Sequence, residues 1–438
     1  MPNMNFNLQI FLVLLTGLFC FSARGSFTKL DAASQLKQTG LKWRMTESLV
    51  SDARAKEEFA EASFNPKLAL VFREYYAKIN PVQFGGASDI ETLNQAAFGT
   101  TALEVNWTLL DSLAKAELLL AKNAAHTSEE KRNQLQSDLS ALMFFQYLNV
   151  QRLERQIGMM NSNLAKSELI YKLAQAKKNV GAGIDLDIAR ARTLFELDRI
   201  KKIVALNKLQ KAKHELATTL GIEKISQELE PLNTRRIKVT DVRGYLEKSY
   251  LKRSDLKTAR SDLETAHTAV AYTSGWFFPK FSLIGELGST QASLLGLPAK
   301  TINGFIGASL TIPLDTGGII RSKKMEAASA ENKALLQTEQ TRLEILQQVK
   351  ESLEQILSAE EALNASEEYV KTVHEESLIA EGRYREGLSN ILDFTSAHAN
   401  LTSAEDTLTE SIFNYESAKL NYFHVQGSMD DYVRSLTE

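Results

Sequence analysis

The long run of helix-forming residues from about 112 to 178 limits what this chain can fold into. It contains no proline, and an unbroken helix of that length would extend roughly 100 Å at 1.5 Å per residue. Such a helix is too long to fold back into a compact globule, so we expect it to pack side by side with similar helices. Polar Gln146 and Asn149 fall in its apolar stripe, where they fit either a wall with one wet face or a tolerated coiled-coil irregularity. The stripe itself keeps a 3-4 heptad spacing at Leu135, Leu139, Leu142 and Leu153.

The same order of segments occurs twice along the chain. Each copy is predicted as helix, strand, loop rich in Gly and Pro, strand, long helix, turn and helix, with opening helices over about 32–63 and 241–274. A shift of 206 residues aligns the two turns and the helices after them, and we interpret the chain as one unit duplicated in tandem. The identical pairs at this shift are Gly181/Gly387, Leu186/Leu392, Asp187/Asp393, Ala191/Ala397, Ala212/Ala418, Lys213/Lys419 and Gly221/Gly427. The predicted divisions are a signal peptide (1–25), a first repeat (26–222), an inter-repeat segment (223–240), a second repeat (241–428) and a C-terminal tail (429–438).

Each copy supplies two amphipathic strands. In "TALEVNWTLLD" and "FIGASLTIPLD", apolar residues alternate with polar or small ones. We expect strands of about 9 to 12 residues, the length that a tilted strand needs to cross a bilayer. Four strands cannot close a barrel, and the smallest single-chain outer-membrane barrels have about eight, so several copies would have to contribute. The soluble alternative is a pair of hairpins packed on the helices.

The N-terminal segment predicts export. Residues 10–21 form an apolar run of the size of a signal-peptide core, and small residues Ala23 and Gly25 suit cleavage before Ser26. Cys20 is the single cysteine, so the mature chain would have no disulfide. Lipid attachment at Cys20 is the less favoured alternative, since Phe19 precedes it. A net charge of -3 gives no electrostatic argument for nucleic-acid binding.

Several motifs together resemble the TolC-like outer-membrane efflux duct family, over nearly the whole mature sequence. "WTLLDS" and "IPLDTGG" resemble the family's strand-to-helix joints, and we assign Asp111, Asp315, Gly317 and Gly318 to these joints. The first joint has Ser-Leu where a Gly-Gly pair is common in the family. "YLKRSDLKTARSDLETAHTAVAYTSGWFFPKFSL" resembles the start of the family's second repeat. "REGLSNILDFTSAHANLTSAEDTL" resembles the signature of its last hairpin.

The resemblance implies a mainly α fold with a small β part. Long antiparallel helical hairpins would form a periplasmic barrel, and four transmembrane strands per chain would contribute to a trimeric, 12-stranded barrel in the outer membrane. It implies an export duct of a tripartite efflux or type I secretion system. The partners implied are a periplasmic adaptor, an inner-membrane pump of RND, ABC or MFS type and outer-membrane lipid. No cofactor, metal, nucleic acid or enzymatic chemistry is implied, and the pump rather than this chain would select the cargo.

The same resemblance places the two hairpin turns at the periplasmic tip, where the tunnel would narrow. Gly181, Gly183 and Gly387 would reverse the chain there, since glycine reaches positive φ at little cost. Asp393 would belong to a ring of carboxylates in the constriction, with Ser396 at a neighbouring ring position. Asp187 is its counterpart in the first repeat. Such rings attract cations. Capping of a helix N-terminus is the alternative role for both aspartates.

Other signals are weaker. The six histidines are predicted to be solvated residues on helix surfaces, with no partner at metal-ligand spacing. Trp276, Phe277 and Phe278 fit an interfacial aromatic girdle as well as ordinary core. The rival of another class is a secreted or periplasmic coiled-coil scaffold or adaptor, which would share the long hairpins and the export signal but would not need two duplicated strand pairs.

Overall fold

A computed structural model describes residues 26–77, 96–181, 183–237, 242–273, 279–294, 297–312 and 317–437. Three sequence-based predictions fall outside these residues. They are the signal peptide with Cys20, the aromatic girdle at residues 276–278 and the role of Asp315 in the second strand-to-helix joint.

The first repeat begins with two helices rather than the single one predicted. The break lies at Gly40, whose backbone adopts a ψ of 111° while its N–H still bonds Leu36 O of the preceding helix. A Cβ on Gly40 would lie 2.4 Å from that same oxygen, so the bend requires glycine. The elements are α1 (Lys29–Thr39), α2 (Leu41–Glu61), β1 (Lys67–Ala77), β2 (Ala96–Leu110), α3 (Ser112–Asn179) and α4 (Asp185–Leu220). With 68 residues, α3 is the long helix that the sequence predicts.

The second repeat has the same order of elements. Its opening helix is also divided, at Arg253, which has an extended ψ of 124°. The Arg253 guanidinium pairs with Asp255 in the first turn of the next helix, where a carboxylate is favoured by the exposed N–H groups. The elements are α5 (Val242–Lys252), α6 (Ser254–Tyr272), β3 (Lys280–Leu294), β4 (Leu297–Thr311), α7 (Ile319–Arg385) and α8 (Ile391–Val425).

The residues predicted as a C-terminal tail contain a further helix, α9 (Met429–Thr437). Its Tyr432 is fully buried and meets the ring of Phe144 edge-on, with 5.1 Å between ring centroids. Lys252 at the end of α5 forms an ion pair with Asp431 at 2.8 Å. A helix of nine residues has too few turns for its periodicity to stand out in the sequence, which explains why the pattern missed it.

The four strands form one antiparallel sheet in the order β1-β2-β3-β4. β1 has 11 residues and the other three have 15, so three of them are longer than expected. The register shifts between Thr108 and Leu110 of β2, and this irregularity changes the alternation that the sequence shows there. In the single chain β1 and β4 are the two edges of the sheet.

The two faces of the sheet differ in polarity. On one face Leu70, Leu103 and Leu287 lie side by side in register, and all three are exposed. On the other face Arg73 forms an ion pair with Glu104 at 2.5 Å. One apolar and one polar face is the pattern of a strand that separates lipid from a wet interior.

The long helices form one curved layer beneath the sheet. Near the strands the order of packing is α2-α3-α6-α7, and toward the hairpin turns it is α4-α3-α8-α7. In α7, Val349, Leu353, Ile356 and Leu363 keep heptad spacing and are buried. In α3, Leu153 is buried, whereas Leu135 and Leu142 are exposed. α3 has a different set of neighbours at each level, so one straight stripe does not describe its buried face. Among the described residues, no helix is both long enough and apolar enough to cross a membrane.

The inter-repeat segment packs on the main hydrophobic core at the ends of the hairpins. Phe27 and Leu229 form a parallel bridge, and Phe27 N donates to Glu228 O at 3.0 Å. The Tyr147 hydroxyl of α3 donates to the Phe27 carbonyl. These bonds connect the N-terminus, the inter-repeat segment and the long helix, so the ends of both repeats share one hydrophobic core.

Candidate functional site

Both hairpin turns are built on a glycine that ends a long helix. Gly387 has a φ of +80° and Gly181 a φ of +75°. At the second turn, Gly387 N donates to Tyr384 O at 3.2 Å and Leu388 N donates to Arg383 O at 2.8 Å, the two bonds of a Schellman motif. Gly181 N makes the corresponding bond to Lys178 O at 2.9 Å. Gly181 and Gly387 thus occupy equivalent positions in the two turns.

Gly183 lies in the first turn for a different reason. Its φ is not positive, but a Cβ there would lie 2.9 Å from the backbone N of Lys178. The returning chain therefore passes too close to the end of α3 for any larger residue without a shift.

Asp393 stands in the first turn of α8 without being its cap. Asn390 is the N-cap, and its Oδ1 accepts from Asp393 N at 3.0 Å. The Asp393 carboxylate is exposed and makes no hydrogen bond or ion pair to any described residue. Ser396, one turn later, is also exposed. The side-chain cap that the sequence offered as the alternative role of Asp393 is thus supplied by Asn390, a residue that sequence reasoning missed, although Asn is a preferred N-cap.

Asp187 has a more enclosed position in the first turn of α4. The N-cap there is Ile184, which has no side-chain acceptor, and Asp187 N donates to Ile184 O at 3.1 Å. The neighbouring Asp185 pairs with Lys178 at the end of α3. Burial, and after it the charge of Asp187, raises the pKa of the Tyr384 phenol on the other hairpin. Asp187 therefore faces the second hairpin, whereas Asp393 is free of partners within the described chain.

The tips of the two hairpins are held together by a small apolar cluster. Its members come from all four long helices and are Ile170, Ala174, Ala191, Tyr384, Ile391 and Phe394. Lys177 of α3 places its Nζ 4.0 Å from the centre of the Tyr384 ring and also donates to the Tyr384 carbonyl. That carbonyl belongs to the last turn of α7 and also accepts from Gly387 N, so the lysine adds a second donor at the helix end. The sequence gives no sign of this contact, because Lys177 and Tyr384 lie far apart along the chain.

A groove of about 420 Å³ runs along the second hairpin near its turn, between α7 and α8. Asp393 lies at one end of it, and Glu375, Glu376 and Arg383 line its α7 side. The groove thus carries exposed charges of both signs beside the turn.

The strand-to-helix joints are arranged differently in the two repeats. Asp111 is the N-cap of α3: its Oδ1 accepts from Leu113 N at 3.0 Å and from Ala114 N at 3.2 Å. Its Oδ2 also lies 3.2 Å from Lys280 Nζ at the start of β3. In the second repeat Gly317 and Gly318 take φ values of +58° and +85°, and Gly318 precedes α7 as an N-cap without a side chain. The first joint is fixed by a carboxylate and the second by backbone conformation.

The prediction that all six histidines are solvated is wrong for one of them. His398 of α8 is only 2% exposed and faces Asp198 of α4. His267 and His424 lie on the surface and pair with Glu331 and Asp138. Periodicity did not reveal His398, because a polar residue on a long amphipathic helix is assigned to the wet face by default. Among the described residues, no group of three or more His, Cys, Asp or Glu side chains has a geometry able to hold a metal ion.

Comparisons with known proteins agree with this architecture. Residues 246–420 match the family described as Outer membrane efflux protein. The chain is 24% identical over 346 residues to the toluene efflux pump outer membrane protein TtgC of Pseudomonas putida, covering 78% of this chain and 70% of that protein. It is 22% identical over 425 residues to the outer membrane protein TolC of Escherichia coli, covering 92% and 84%.

Solved structures share the fold at low sequence identity. The Campylobacter jejuni CmeC outer membrane channel superposes with a TM-score of 0.78 at 16% identity, covering 91% of this chain and 85% of that one. The outer-membrane channel OprN superposes with a TM-score of 0.75 at 20% identity, covering 91% and 90%. The duplicated hairpins and the four-stranded sheet thus have the fold of these outer-membrane channels.

Proposed function

We infer that this chain, a TolC-like outer-membrane efflux protein, is one segment of a ring that conducts exported substrates passively through the outer membrane. The protein is a channel subunit of the outer membrane with a periplasmic extension, and not an enzyme. The observation that carries the ring is that both layers of the fold are open at the same two sides. The sheet ends at β1 and β4, and the helical layer ends at α2 and α4 on one side and at α7 on the other.

The helices at the open sides carry exposed apolar residues. On α2 these are Leu41, Met45 and Phe59. On α7 they are Met325, Leu336 and Leu343. In α4, Leu197, Ile200 and Ile203 are also exposed. Contiguous apolar surface of this kind marks an interaction site. A neighbouring copy would cover it.

The internal repeat indicates how the copies meet. Near the strands α3 packs between α2 and α6, while its counterpart α7 packs on α6 and, further from the strands, on α5. The vacant side of α7 corresponds to the side of α3 that holds α6, so α2 of the next copy would fill it. The same shift would place α4 of the next copy against α7 and β1 of the next copy against β4. The contact is head-to-tail and closes only as a ring.

Three copies would give a barrel of twelve strands. The family that the sequence resembles builds trimers, and four strands per chain make three copies enough to exceed the smallest outer-membrane barrels. In that trimer the hairpin tips converge, and Asp393, with Ser396 and Asp187 near it, would line the constriction. Symmetry copies of an unpartnered carboxylate in a narrow pore would attract cations.

The tip is also the proposed docking region for a periplasmic adaptor, behind which an inner-membrane pump would supply the substrate. The relatives named for toluene and antibiotic efflux support export of small molecules ahead of type I protein secretion. The grooved, charged end of the second hairpin suits contact with another helical protein.

The proposed ring can be tested with cysteine pairs, because Cys20 is the only native cysteine. In the chain Thr127 of α3 lies 2.7 Å from Ser261 of α6. The shift of 206 residues converts Thr127 to Lys333. β1 begins at Lys67 and β3 at Lys280, so the shift before the strands is 280 − 67 = 213 residues, which converts Ser261 to Ser48. We expect a chain with both Ser48→Cys and Lys333→Cys to form covalent dimers and trimers on mild oxidation in membranes.

The matched control moves one cysteine by two turns of the same helix, as Ser48→Cys with Gln340→Cys. This pair should cross-link much less. If the displaced pair cross-links as well as the predicted one, or neither reacts in membranes while the chain stays soluble without detergent, the head-to-tail ring is wrong.

A further inference from the structure

A buried acid-base pair joins the two helical hairpins of the chain. His398 is 2% exposed and Asp198 is 6% exposed, and His398 Nε2 lies 3.8 Å from Asp198 Oδ2. Neither atom has a hydrogen-bond partner among the described residues. At 3.8 Å the pair is too far apart for a hydrogen bond but within the range of an ion pair. Two buried polar atoms that face each other unbonded are rare in proteins.

The pair lies where the hairpins would have to separate for the tunnel to widen. α4 belongs to the first hairpin and α8 to the second. Along α8, His398 stands between Phe394 of the tip cluster and Leu401 of a second small apolar cluster. The contact between α4 and α8 is narrow compared with the contacts within each hairpin. Because α3 also packs on α8, a change in this pair would act on the smaller of the two contacts between the hairpins.

The repeat provides an internal comparison for both residues. A shift of 206 residues relates Asp198 to Ala404, which is fully buried, and His398 to Arg192, which is exposed. The second repeat thus packs a methyl group at the position where the first has a carboxylate. The fold therefore accommodates an uncharged residue at this position.

The other charged groups around the pair are exposed or half-exposed. Lys201 Nζ lies 4.0 Å from Asp198 Oδ1 but is exposed and also faces Asp406. On α3 the buried residues at this level, Asn163 and Ser167, are uncharged. On α7 the buried residues are Val373 and Ser377. The remaining charged residues nearby are exposed or half-exposed, and they are Lys166, Glu168, Arg192, Glu196, Arg199, His374, Glu375, Glu376, Glu381 and Glu405.

We propose that Asp198 and His398 form a proton-dependent latch between the two hairpins. A neutral imidazole beside the Asp198 carboxylate leaves that carboxylate without a buried positive partner. Protonation of His398 converts the contact into a neutral ion pair, which draws the hairpins together. Histidine is the side chain whose charge ordinarily changes between pH 5 and 8. This step rests on the proposed duct. In that duct, a mildly acidic pH would hold the entrance of the tunnel narrower.

Hydrogen exchange measured by mass spectrometry on the full chain in detergent tests the latch. The readout is protection, relative to the intrinsic exchange rate, of segments 194–202 and 394–402 at about pH 5.5 and about pH 7.5. We expect several-fold more protection at the lower pH, because the protonated imidazole and the Asp198 carboxylate attract each other across the packed interface. The core segment 143–153 should be protected equally at the two pH values. Because local opening is measured directly, failure of the latch is distinct from failure of the duct.

Two kinds of variant make the test specific. His398→Gln, which cannot be protonated, and Asp198→Ala, which copies Ala404, should each remove the pH dependence. His424→Gln changes a half-exposed histidine that also pairs with an aspartate, Asp138 at 2.9 Å, and should leave the dependence intact. Lower protection at acid pH in the wild type, or a pH dependence that persists in His398→Gln, would overturn the proposal. The wild-type comparison decides the matter even if a variant fails to fold.

Discussion

Two glycines near the second hairpin turn are expected to respond oppositely to the same substitution. Gly387 has a φ of +80°, which alanine adopts at a cost of about 1–2 kcal/mol. Gly382 lies inside α7, and a Cβ there would have nothing within 4 Å, so alanine should stabilise the helix by about 1 kcal/mol. We expect Gly387→Ala to speed trypsin cleavage at Arg383 and Arg385 about tenfold, and Gly382→Ala to slow it. If both substitutions change the cleavage rate equally, the turn does not depend on the left-handed backbone conformation of Gly387.

The charge of Asp393 gives a second prediction at the residue scale. Its carboxylate is exposed and unpaired among the described residues, and Asn390 rather than Asp393 caps α8. Asp393→Asn should therefore keep the helix end, apart from about 0.3–1 kcal/mol of dipole interaction. It should lower block of single pores by divalent cations in planar bilayers several-fold, because the ring loses its charge.

The control for that experiment is Asp430→Asn, which removes a carboxylate from the first turn of α9, far from the tips. Cation block should not change in this variant. If Asp393→Asn behaves in the same way as Asp430→Asn, the carboxylate serves only the end of the helix.

Single residues also show where sequence reasoning ends. Gly181 and Gly387 were identifiable because a glycine after a long apolar-periodic run has few other uses. Asn390 had an equally local signal, three residues before Asp393, and was overlooked. Lys177, Asp198 and His398 had none, because each acts through a residue on another helix and no local pattern records which helices become neighbours.

At the scale of elements, Asp111 connects three of them. It caps α3 and reaches Lys280 of β3, so it fixes the angle at which α3 leaves the sheet. Asp111→Ala should lower the unfolding free energy by about 1–2 kcal/mol, since it removes the cap and a partly exposed ion pair. Asp111→Asn keeps an acceptor for the cap and should cost about half as much. Thermal unfolding of both variants in the same detergent measures the difference.

If the alanine and asparagine variants of Asp111 unfold at the same temperature, the ion pair with Lys280 and not the cap holds the joint. Lys280→Met removes only the ion pair and separates the two contributions. The second repeat offers no equivalent test, because its described joint residues are the glycines 317 and 318.

The elements themselves were predictable to different degrees. Helix α3 begins and ends within a few residues of its predicted bounds, because the absence of proline and the glycine that follows mark its limits. The divisions at Gly40 and Arg253 were not predicted, since each depends on how a short helix must bend to lie on α3 or α7. The strands were recognised by alternation, but their length was underestimated because Gly and Thr continue the pairing beyond the apolar residues.

At the scale of the whole molecule, the order of packing within one chain determines what a second chain must do. The sheet and the helical layer end at the same two sides, so a neighbour that covers α7 with its α2 also brings its β1 to the free edge of β4. A free strand edge cannot remain in hydrocarbon, because its N–H and C=O groups would be unsatisfied. One head-to-tail contact therefore satisfies both layers.

Closure of that contact distinguishes a ring from an open filament. In a closed trimer the chain with both Ser48→Cys and Lys333→Cys has each cysteine opposite its partner, so oxidation should stop at a covalent trimer. Neither single variant should cross-link to itself, because a head-to-tail interface brings together different surfaces, but co-expression of the two single variants should give covalent dimers.

Light scattering and negative-stain electron microscopy of the detergent-extracted protein should show three chains in a cylinder well over 100 Å long, since α3 alone has 68 residues at about 1.5 Å each. Cross-linked products larger than a trimer would indicate an open assembly, and self-linked single variants would indicate a two-fold contact instead.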